Sequence, residues 1–358
     1  MSEPTLSVAM IVKDEASKLA GVLADARGFC DELIVVDTGS TDATVEIALA
    51  AGAAVHEFAW IDDFAAARNV AFDHCTSDWI MWLDADDRVP ADVQTAIRAL
   101  KPTLTETIDA VFAEYRLYDT NGVNVALRYD RERLIRRAAG LRWAGEVHEA
   151  IAVPLGRSMR AAEVYVEHRP AHAEVASDRN LRILQRVAQA GDRAPRTLFY
   201  LANELREHGR HDEAVAAYTD YIAVSEQPWE RYSARVNVSI CLSALGRHDE
   251  ALAQAMEAIG EDPSRAEAYN RAALHFYQRE SWAQAIPLFL AATAATRPEW
   301  GFASEADYSY LPWDYLGVCY YRLGRQHDAL RTTARAIELG SPDIERLRAN
   351  LKFIADLI

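Results

Sequence analysis

The chain has 358 residues, of which 50% are apolar and 26% charged, a size and mix that suit about two globular domains. Its 38 Lys and Arg against 54 Asp and Glu give a formal charge of −16, which argues against a nucleic-acid binder and against simple docking on anionic lipid. No transmembrane segment or signal peptide is evident, and the four dispersed cysteines (Cys30, Cys75, Cys241, Cys319) form no C-x-x-C pair, so neither a zinc site nor a disulfide framework is expected and a reducing cytoplasm is the simplest home.

Leu6–Val12 is a strand-like run that stops at Lys13-Asp14-Glu15, and a helical pattern follows through Leu19, Val22, Leu23 and Ala26. Asp31–Asp37 predicts a second buried strand, closed by Thr38-Gly39-Ser40-Thr41-Asp42. Gly39 allows a tight turn there, and Ser40 or Thr41 can cap the next helix, which Gly52 ends. Ala53–Phe58 is a shorter strand; Asp62 or Asp63 then caps a helix carrying Phe64, Ala67, Arg68, Val70, Ala71 and Phe72. Strands alternating with helices of this length imply βαβ units and a parallel sheet.

The next stretch is Trp79-Ile80-Met81-Trp82-Leu83-Asp84-Ala85-Asp86-Asp87. A strand buried on both faces ends here on carboxylates. Side chains two apart on a strand point the same way, so Asp84 and Asp86 can aim at one volume past the strand end, where open α/β sheets bind ligands. Two hard oxygen donors there suit a divalent cation and hence a diphosphate, although a plain acidic loop has the same spelling. Asp87 reads as the lead-in to a helix begun by Pro90. Asp14 and Asp37 end neighbouring strands, and such crowding of acids calls for a cation or hydrogen-bond donors among them. A dinucleotide-binding domain is disfavoured, because the first turn, Val12-Lys13-Asp14-Glu15, has no G-x-G-x-x-G.

After Pro102 the pattern becomes mixed and partly antiparallel. Asp109–Tyr118 reads as a strand, Asn121-Gly122 as a hairpin turn, and Arg133–Arg137, Leu141–Trp143 and Glu163–His168 as short strands. Gly145-Glu146-Val147-His148-Glu149 clusters two carboxylates with a histidine, either a polar loop or part of a site.

From about Arg179 the chain is helical throughout. Leu205–Ala214, Leu245–Ala251 and Leu323–Ala329 share a Gly-Arg-centred phrase, with a degenerate copy at Gln278–Ala285. Gly209 to Gly246 is 37 residues, Gly246 to Glu280 is 34 and Glu280 to Gly324 is 44, close to a tetratricopeptide period with one insertion. That insertion, Arg297–Phe302, carries two aromatics expected to pack on a neighbouring repeat. Asp262-Pro263 and Ser341-Pro342 mark breaks between units. Turn histidines His208, His211, His248 and His327 recur with the repeat and read as turn and surface residues. Stacked repeats can bind a polypeptide, mediate a homodimer or brace the first domain.

The motifs Met10–Glu15, Ile34–Asp42, Asp63–Asn69 and Trp82–Asp86, in this order and spacing, resemble a family 2 glycosyltransferase of the GT-A fold over roughly residues 5 to 170. Gly145–Glu149 and Tyr165–His168 look like a subgroup with a tetratricopeptide tail, which includes peptide glycosyltransferases. The resemblance implies an α/β GT-A domain, Rossmann-like with a mostly parallel sheet, over residues 1–172, and an all-α tetratricopeptide-like domain over 173–358. It implies a nucleoside-diphosphate sugar donor, typically UDP-linked, bound through Val12, Lys13, Glu15, Asp37, Gly39, Arg68 and Asp84. Mn²⁺ or Mg²⁺ would sit on Asp86, with Asp84, His168 or His148 contributing. In the inverting mechanism expected of the family the base is a carboxylate, for which Glu149 is the first candidate and Glu146 the second. The acceptor would be a peptide, protein or glycan. Plain alternatives stand beside these roles: Asp37 as a helix cap, Arg68 as a surface residue, Asn69 as a surface or capping residue. Two other readings of the whole chain are a repeat scaffold with a nucleotide-binding but inactive head, and a nucleotidyltransferase. The second would open on a glycine-rich basic loop, which Met10–Glu15 is not.

Overall fold

The computed structural model describes residues 3–119, 122–169, 178–298 and 303–357. It divides into two compact units, Met1–Val175 and Ala176–Ile358.

The first unit opens with β1 (Leu6–Val12), α1 (Leu19–Ala26), β2 (Glu32–Asp37), α2 (Thr44–Ala50), β3 (Ala54–Glu57), α3 (Phe64–His74) and β4 (Trp79–Trp82). It continues with β5 (Asp87–Arg88), α4 (Ala91–Leu100), β6 (Ala110–Tyr118), β7 (Val125–Arg136), β8 (Trp143–Ala144), β9 (Ala150–Ile151) and β10 (Ser158–His168). The main sheet runs β3-β2-β1-β4-β7-β6-β10-β5. β3, β2, β1 and β4 are mutually parallel, β7 is antiparallel to both β4 and β6, and β10 returns parallel to β6. β8 and β9 form a separate two-stranded ribbon.

Alternation along the strands builds two cores. Val8, Met10, Leu33, Val35, Trp79 and Met81 pack on one face with α1 and α4 residues such as Leu19, Leu23, Val93 and Ile97. Ala9, Ile34, Val36, Ile80 and Trp82 pack on the other with Ala65, Ala71 and Phe72 of α3, and with Trp143 and Ile151. This is the period of two expected of strands covered on both sides. Truncating a central residue such as Met81, fully buried, is worth about 2–5 kcal/mol.

α3 starts where Asp63 Oδ1 accepts from the Ala66 N–H at 2.8 Å, so of the two candidates Asp63 is the cap. Its buried face is Ala65, Ala67, Arg68, Ala71 and Phe72.

In the second unit α5 (Asp178–Gln189) is followed by α6 (Pro195–Glu207), α7 (His211–Val224), α8 (Pro228–Ala244), α9 (His248–Glu261) and α10 (Ala266–Gln278). Then come α11 (Trp282–Ala294), α12 (Leu311–Arg322), α13 (Gln326–Glu338) and α14 (Ile344–Ala355). Each helix packs on the next. The turns within pairs place Gly209, Gly246 and Gly324 at φ 71, 75 and 72, and Glu280 at φ 56. The alanine that follows each turn (Ala214, Ala251, Ala285, Ala329) is buried, which brings paired helices close. Of the aromatic insertion, residues 299–302 lie outside the described set, as does Asn121 of the hairpin turn. No helix among the described residues is long and apolar enough to cross a membrane.

Candidate active site

β1 lies between β2 and β4, so the chain leaves the sheet centre in both directions from β1. The crevice past the carboxyl ends of strands at such a switch point is where open α/β sheets bind ligands. Three segments meet that edge: the turn after β1, the end of β2 and the turn after β4.

The first two are laced together. Asp14 takes a left-handed backbone (φ 54), and its N–H donates to Ser40 Oγ at 2.9 Å. Its Oδ1 accepts from the Thr41 N–H at 2.7 Å, and the Glu15 N–H donates to Thr44 Oγ1 at 2.7 Å. Ser40 and Thr41 thus hold the β1 turn and do not cap α2, whose N-cap, Ala43, has no side-chain bond. The Asp37 carboxylate, 7% exposed, accepts from the Gly39 and Ser40 N–H groups at 3.1 Å. Val12 is buried and Lys13 exposed.

The turn after β4 departs from the period-two expectation. The strand ends at Trp82, Asp84 and Asp86 lie on the turn that follows, and Asp87 opens β5, so they face different partners. Asp84 Oδ1 accepts from Arg68 Nη2 at 2.7 Å. Arg68 Nε donates to Glu149 Oε1 at 2.5 Å, and the guanidinium lies over Trp82 at 4.9 Å and over Trp143 at 5.1 Å. Arg68 is 7% exposed and is not a surface residue. Desolvation works against its charge, but the Asp84 and Glu149 carboxylates outweigh that and hold it protonated. Desolvation likewise disfavours the Asp84 anion, and Arg68 overrides it to keep the carboxyl below the usual range.

Asp86 faces elsewhere. Asp86, Asp87 and His168 offer ligand atoms within 4.8 Å of one another. His168 Nδ1 is 3.4 Å from Asp86 Oδ1, 3.5 Å from Asp87 Oδ1 and 2.9 Å from Tyr115 Oη. Lys18 Nζ stands 3.9 Å from Asp86 Oδ2. Burial alone would lower the imidazole's proton affinity, but the Asp86 and Asp87 carboxylates raise its pKa to about 10. Asp87 is no mere lead-in to α4. It is fully buried, accepting from Tyr115 Oη at 2.8 Å, from the Asp84 N–H at 3.0 Å and from Arg133 Nη1 at 3.2 Å. Arg133, also fully buried, stacks on Trp82 and Tyr115 at 3.7 and 4.2 Å.

Of the sequence candidates, the structure joins Asp84, Arg68 and Glu149 in one group and Asp86 and His168 in another. Glu146 is half-buried, and its backbone carbonyl accepts from the Phe64 N–H at 2.9 Å. His148 sits on the same tip with φ 53; the histidine of the three-residue cluster is His168. The sequence marks neither Tyr115 nor Arg133 as a site residue, and it reads Asp87 only as the lead-in to α4. Arg133 at the head of the strand-like stretch Arg133–Arg137 was the available signal, since a strand buries an arginine only against a partner.

A metal fits the second group by its donor chemistry. Two carboxylates and an imidazole suit Mn²⁺ better than Mg²⁺, which prefers oxygen alone.

An α/β domain with acidic groups at the switch point is the architecture of nucleotide-dependent transferases. Residues 7–165 match the family model described as glycosyl transferase family 2, and residues 241–299 match a tetratricopeptide repeat model. The first unit is thus a family 2 glycosyltransferase domain of the GT-A type, followed by a tetratricopeptide region. A TPR repeat-containing protein of Synechococcus elongatus is 48% identical over 94 residues, 26% of this chain and 23% of that one. The SPbeta prophage-derived glycosyltransferase SunS of Bacillus subtilis is 25% identical over 240 residues, 64% of this chain and 55% of that one. An uncharacterized glycosyltransferase of Rickettsia felis is 36% identical over 92 residues, 26% of this chain and 32% of that one. The matched stretches therefore span from 23% to 55% of these relatives' own lengths.

Proposed function

We propose that the chain is a metal-dependent, inverting glycosyltransferase that moves a sugar from a UDP-linked donor to a polypeptide acceptor. The observation that carries the reading is the pairing of two groups at one sheet edge: Asp86, Asp87 and His168 beside the Asp84–Arg68–Glu149 chain. Val12, Lys13, Glu15, Asp37 and Gly39 would border the nucleoside. Asp37 keeps lone pairs beyond those given to its own loop, so it can accept from a base N–H. Asp84, partly exposed, faces the ribose. Asp86 and His168 would hold the cation with Asp87, whose oxygens are already shared with Tyr115 and Arg133. The cation supplies charge neutralisation of the leaving diphosphate. Lys18 adds a positive charge on the same side.

Glu149 would take the proton from the acceptor hydroxyl. Its carboxylate is fixed by Arg68, whose guanidinium lies over Trp143, whereas Glu146 lies at the ribbon tip. A polypeptide acceptor is favoured because stacked helix pairs present extended surfaces to chains.

Thermal shift of the full chain with a panel of nucleoside diphosphates, with and without Mn²⁺, tests the donor site. At 100 times its Kd a ligand adds ~2.7 kcal/mol of stability. UDP is expected to raise Tm only with Mn²⁺ present. No shift with any nucleoside diphosphate rejects the donor site and leaves the head as a scaffold element.

A further inference from the structure

Beside Arg68 stands a side chain to which no step above gives a task. Asn69 Nδ2 donates to the Trp143 carbonyl at 3.1 Å, and its Oδ1 accepts from the Trp143 N–H at 3.0 Å. This is the paired exchange that one strand residue makes with another across an antiparallel ladder. Here a helix side chain supplies it to the backbone of β8. β8 in turn pairs with β9 through Trp143↔Ile151 and Ala144↔Ala150. The tip of that ribbon carries Gly145 at φ 99 and His148 at φ 53, and leads directly to Glu149.

We infer that Asn69 is a positioning residue for Glu149: by clamping Trp143 it fixes the ribbon that carries the carboxylate and the aromatic wall against which Arg68 lies. The inference rests on the reading of Glu149 as the base. Among the described residues, other bonds also hold the ribbon, the Arg68–Glu149 pair among them. The Phe64 N–H donates to the Glu146 carbonyl at 2.9 Å, Arg131 Nη2 to the Glu149 carbonyl at 3.2 Å, and the Ile151 N–H to Glu132 Oε1 at 3.3 Å. Asn69 alone among them binds the ribbon in both directions from one side chain. It is also a chemical requirement. Only an amide offers a donor and an acceptor side by side, and glutamine is one methylene too long. Aspartate has the same shape, but it loses the donor and turns an anion toward the Trp143 carbonyl. The ribbon would shift by a fraction of its strand spacing, and with it the Glu149–Arg68 contact of 2.5 Å. Asp84 has a second hold, its backbone N–H on Asp87 Oδ2 at 3.0 Å, so the clamp governs the acceptor side of the site while the nucleotide-facing groups keep their own supports.

The test compares full-length wild type, Asn69→Asp, Glu149→Gln and the double variant. The probe is UDP release from UDP-glucose, UDP-galactose and UDP-N-acetylglucosamine with Mn²⁺ and water as acceptor, together with the Kd for UDP. Asn69→Asp is expected to lower kcat on the order of 10–100-fold while the Kd for UDP stays within about twofold. Glu149→Gln lowers kcat by about 10²–10⁴-fold. The double variant is expected to be no slower than Glu149→Gln, because Asn69 acts through Glu149. Hydrogen exchange at the Trp143 amide is expected to accelerate in Asn69→Asp. Losses that multiply in full in the double variant, a UDP Kd that rises in step with the fall in kcat, or wild-type turnover in Asn69→Asp would each overturn the inference. Normal turnover in Glu149→Gln, or no hydrolysis of any donor by the wild type, would instead reject the reading beneath it. Should Asn69→Asp fail to fold, Asn69→Ser, which loses the paired bonds without adding charge, carries the same comparisons.

Discussion

Arg68 joins two carboxylates, Asp84 and Glu149, that stand 65 residues apart in the chain. Four of the residues that matter here were legible one by one: Asp84 and Asp86 from an apolar run ending on acids, Arg68 and Glu149 from motif. Their division of labour was not. A strand ending at Trp82 removes the alternation that would have aimed Asp84 and Asp86 together. Asp87 was misread because its partners, Tyr115 and Arg133, come from strands 28 and 46 residues away, beyond any local pattern. Tyr115 now belongs to the site's frame: its hydroxyl contacts both Asp87 and His168. Groups that orient metal ligands are worth about 10–100-fold in affinity, and Tyr115→Phe is expected to weaken Mn²⁺ binding by that factor. Calorimetric titration of Mn²⁺ into the variant and wild type checks it; equal affinities would remove Tyr115 from the frame.

At the scale of elements, the helix pairs of the second unit repeat one solution with one exception. Three turns place glycine at positive φ, and the fourth places Glu280 there, at φ 56. A left-handed residue with a Cβ costs about 1–2 kcal/mol, partly offset by the entropy that glycine loses on folding. Glu280→Gly is therefore expected to stabilise the chain by about 0.5–1 kcal/mol, read as a higher urea midpoint at unchanged slope. The period of the repeat was legible because the same phrase recurs; the strain at Glu280 was legible only as the copy that departs from it. The same unit buries a carboxyl at Asp307. Burial, against the weaker pull of Arg271, raises its pKa. The Asn270 amide donates to it at 2.8 Å, while Asn270 Oδ1 is buried with no hydrogen-bond partner among the described residues. A carboxyl raised in the fold favours folding while it is protonated, and that contribution is lost as pH rises from the ordinary carboxylate range through the raised value. At neutral pH the buried charge is a cost. Asp307→Asn, whose amide can donate to Asn270 Oδ1, is expected to raise Tm at pH 7 relative to pH 4, by about 2–4 °C for each kcal/mol regained. An equal effect at both pH values would assign the change to packing.

At the scale of the whole molecule, a formal charge of −16 has to be reconciled with the anionic donor proposed for the site. On that proposal the conflict is resolved locally: Lys18 and a cation on Asp86, Asp87 and His168 would supply positive charge where the diphosphate would lie, while Arg68 is already matched by Asp84 and Glu149. The order of strands and helices, and the change from a parallel to a mixed sheet, followed from hydrophobic period and turn residues. The return of β10 beside β6 did not, because a pairing between strands so far apart leaves no local trace. That return delivers His168, at the end of β10, to the acidic turn after β4. The sugar-transfer account therefore depends on Asp86 and His168 acting together. Its most direct test is Mn²⁺-dependent release of UDP from the UDP-sugar panel by the full chain. The expected result is turnover with Mn²⁺, none after chelation, and loss of on the order of 10²-fold or more in Asp86→Ala. Turnover that is indifferent to chelator and to Asp86→Ala would contradict the metal-dependent site.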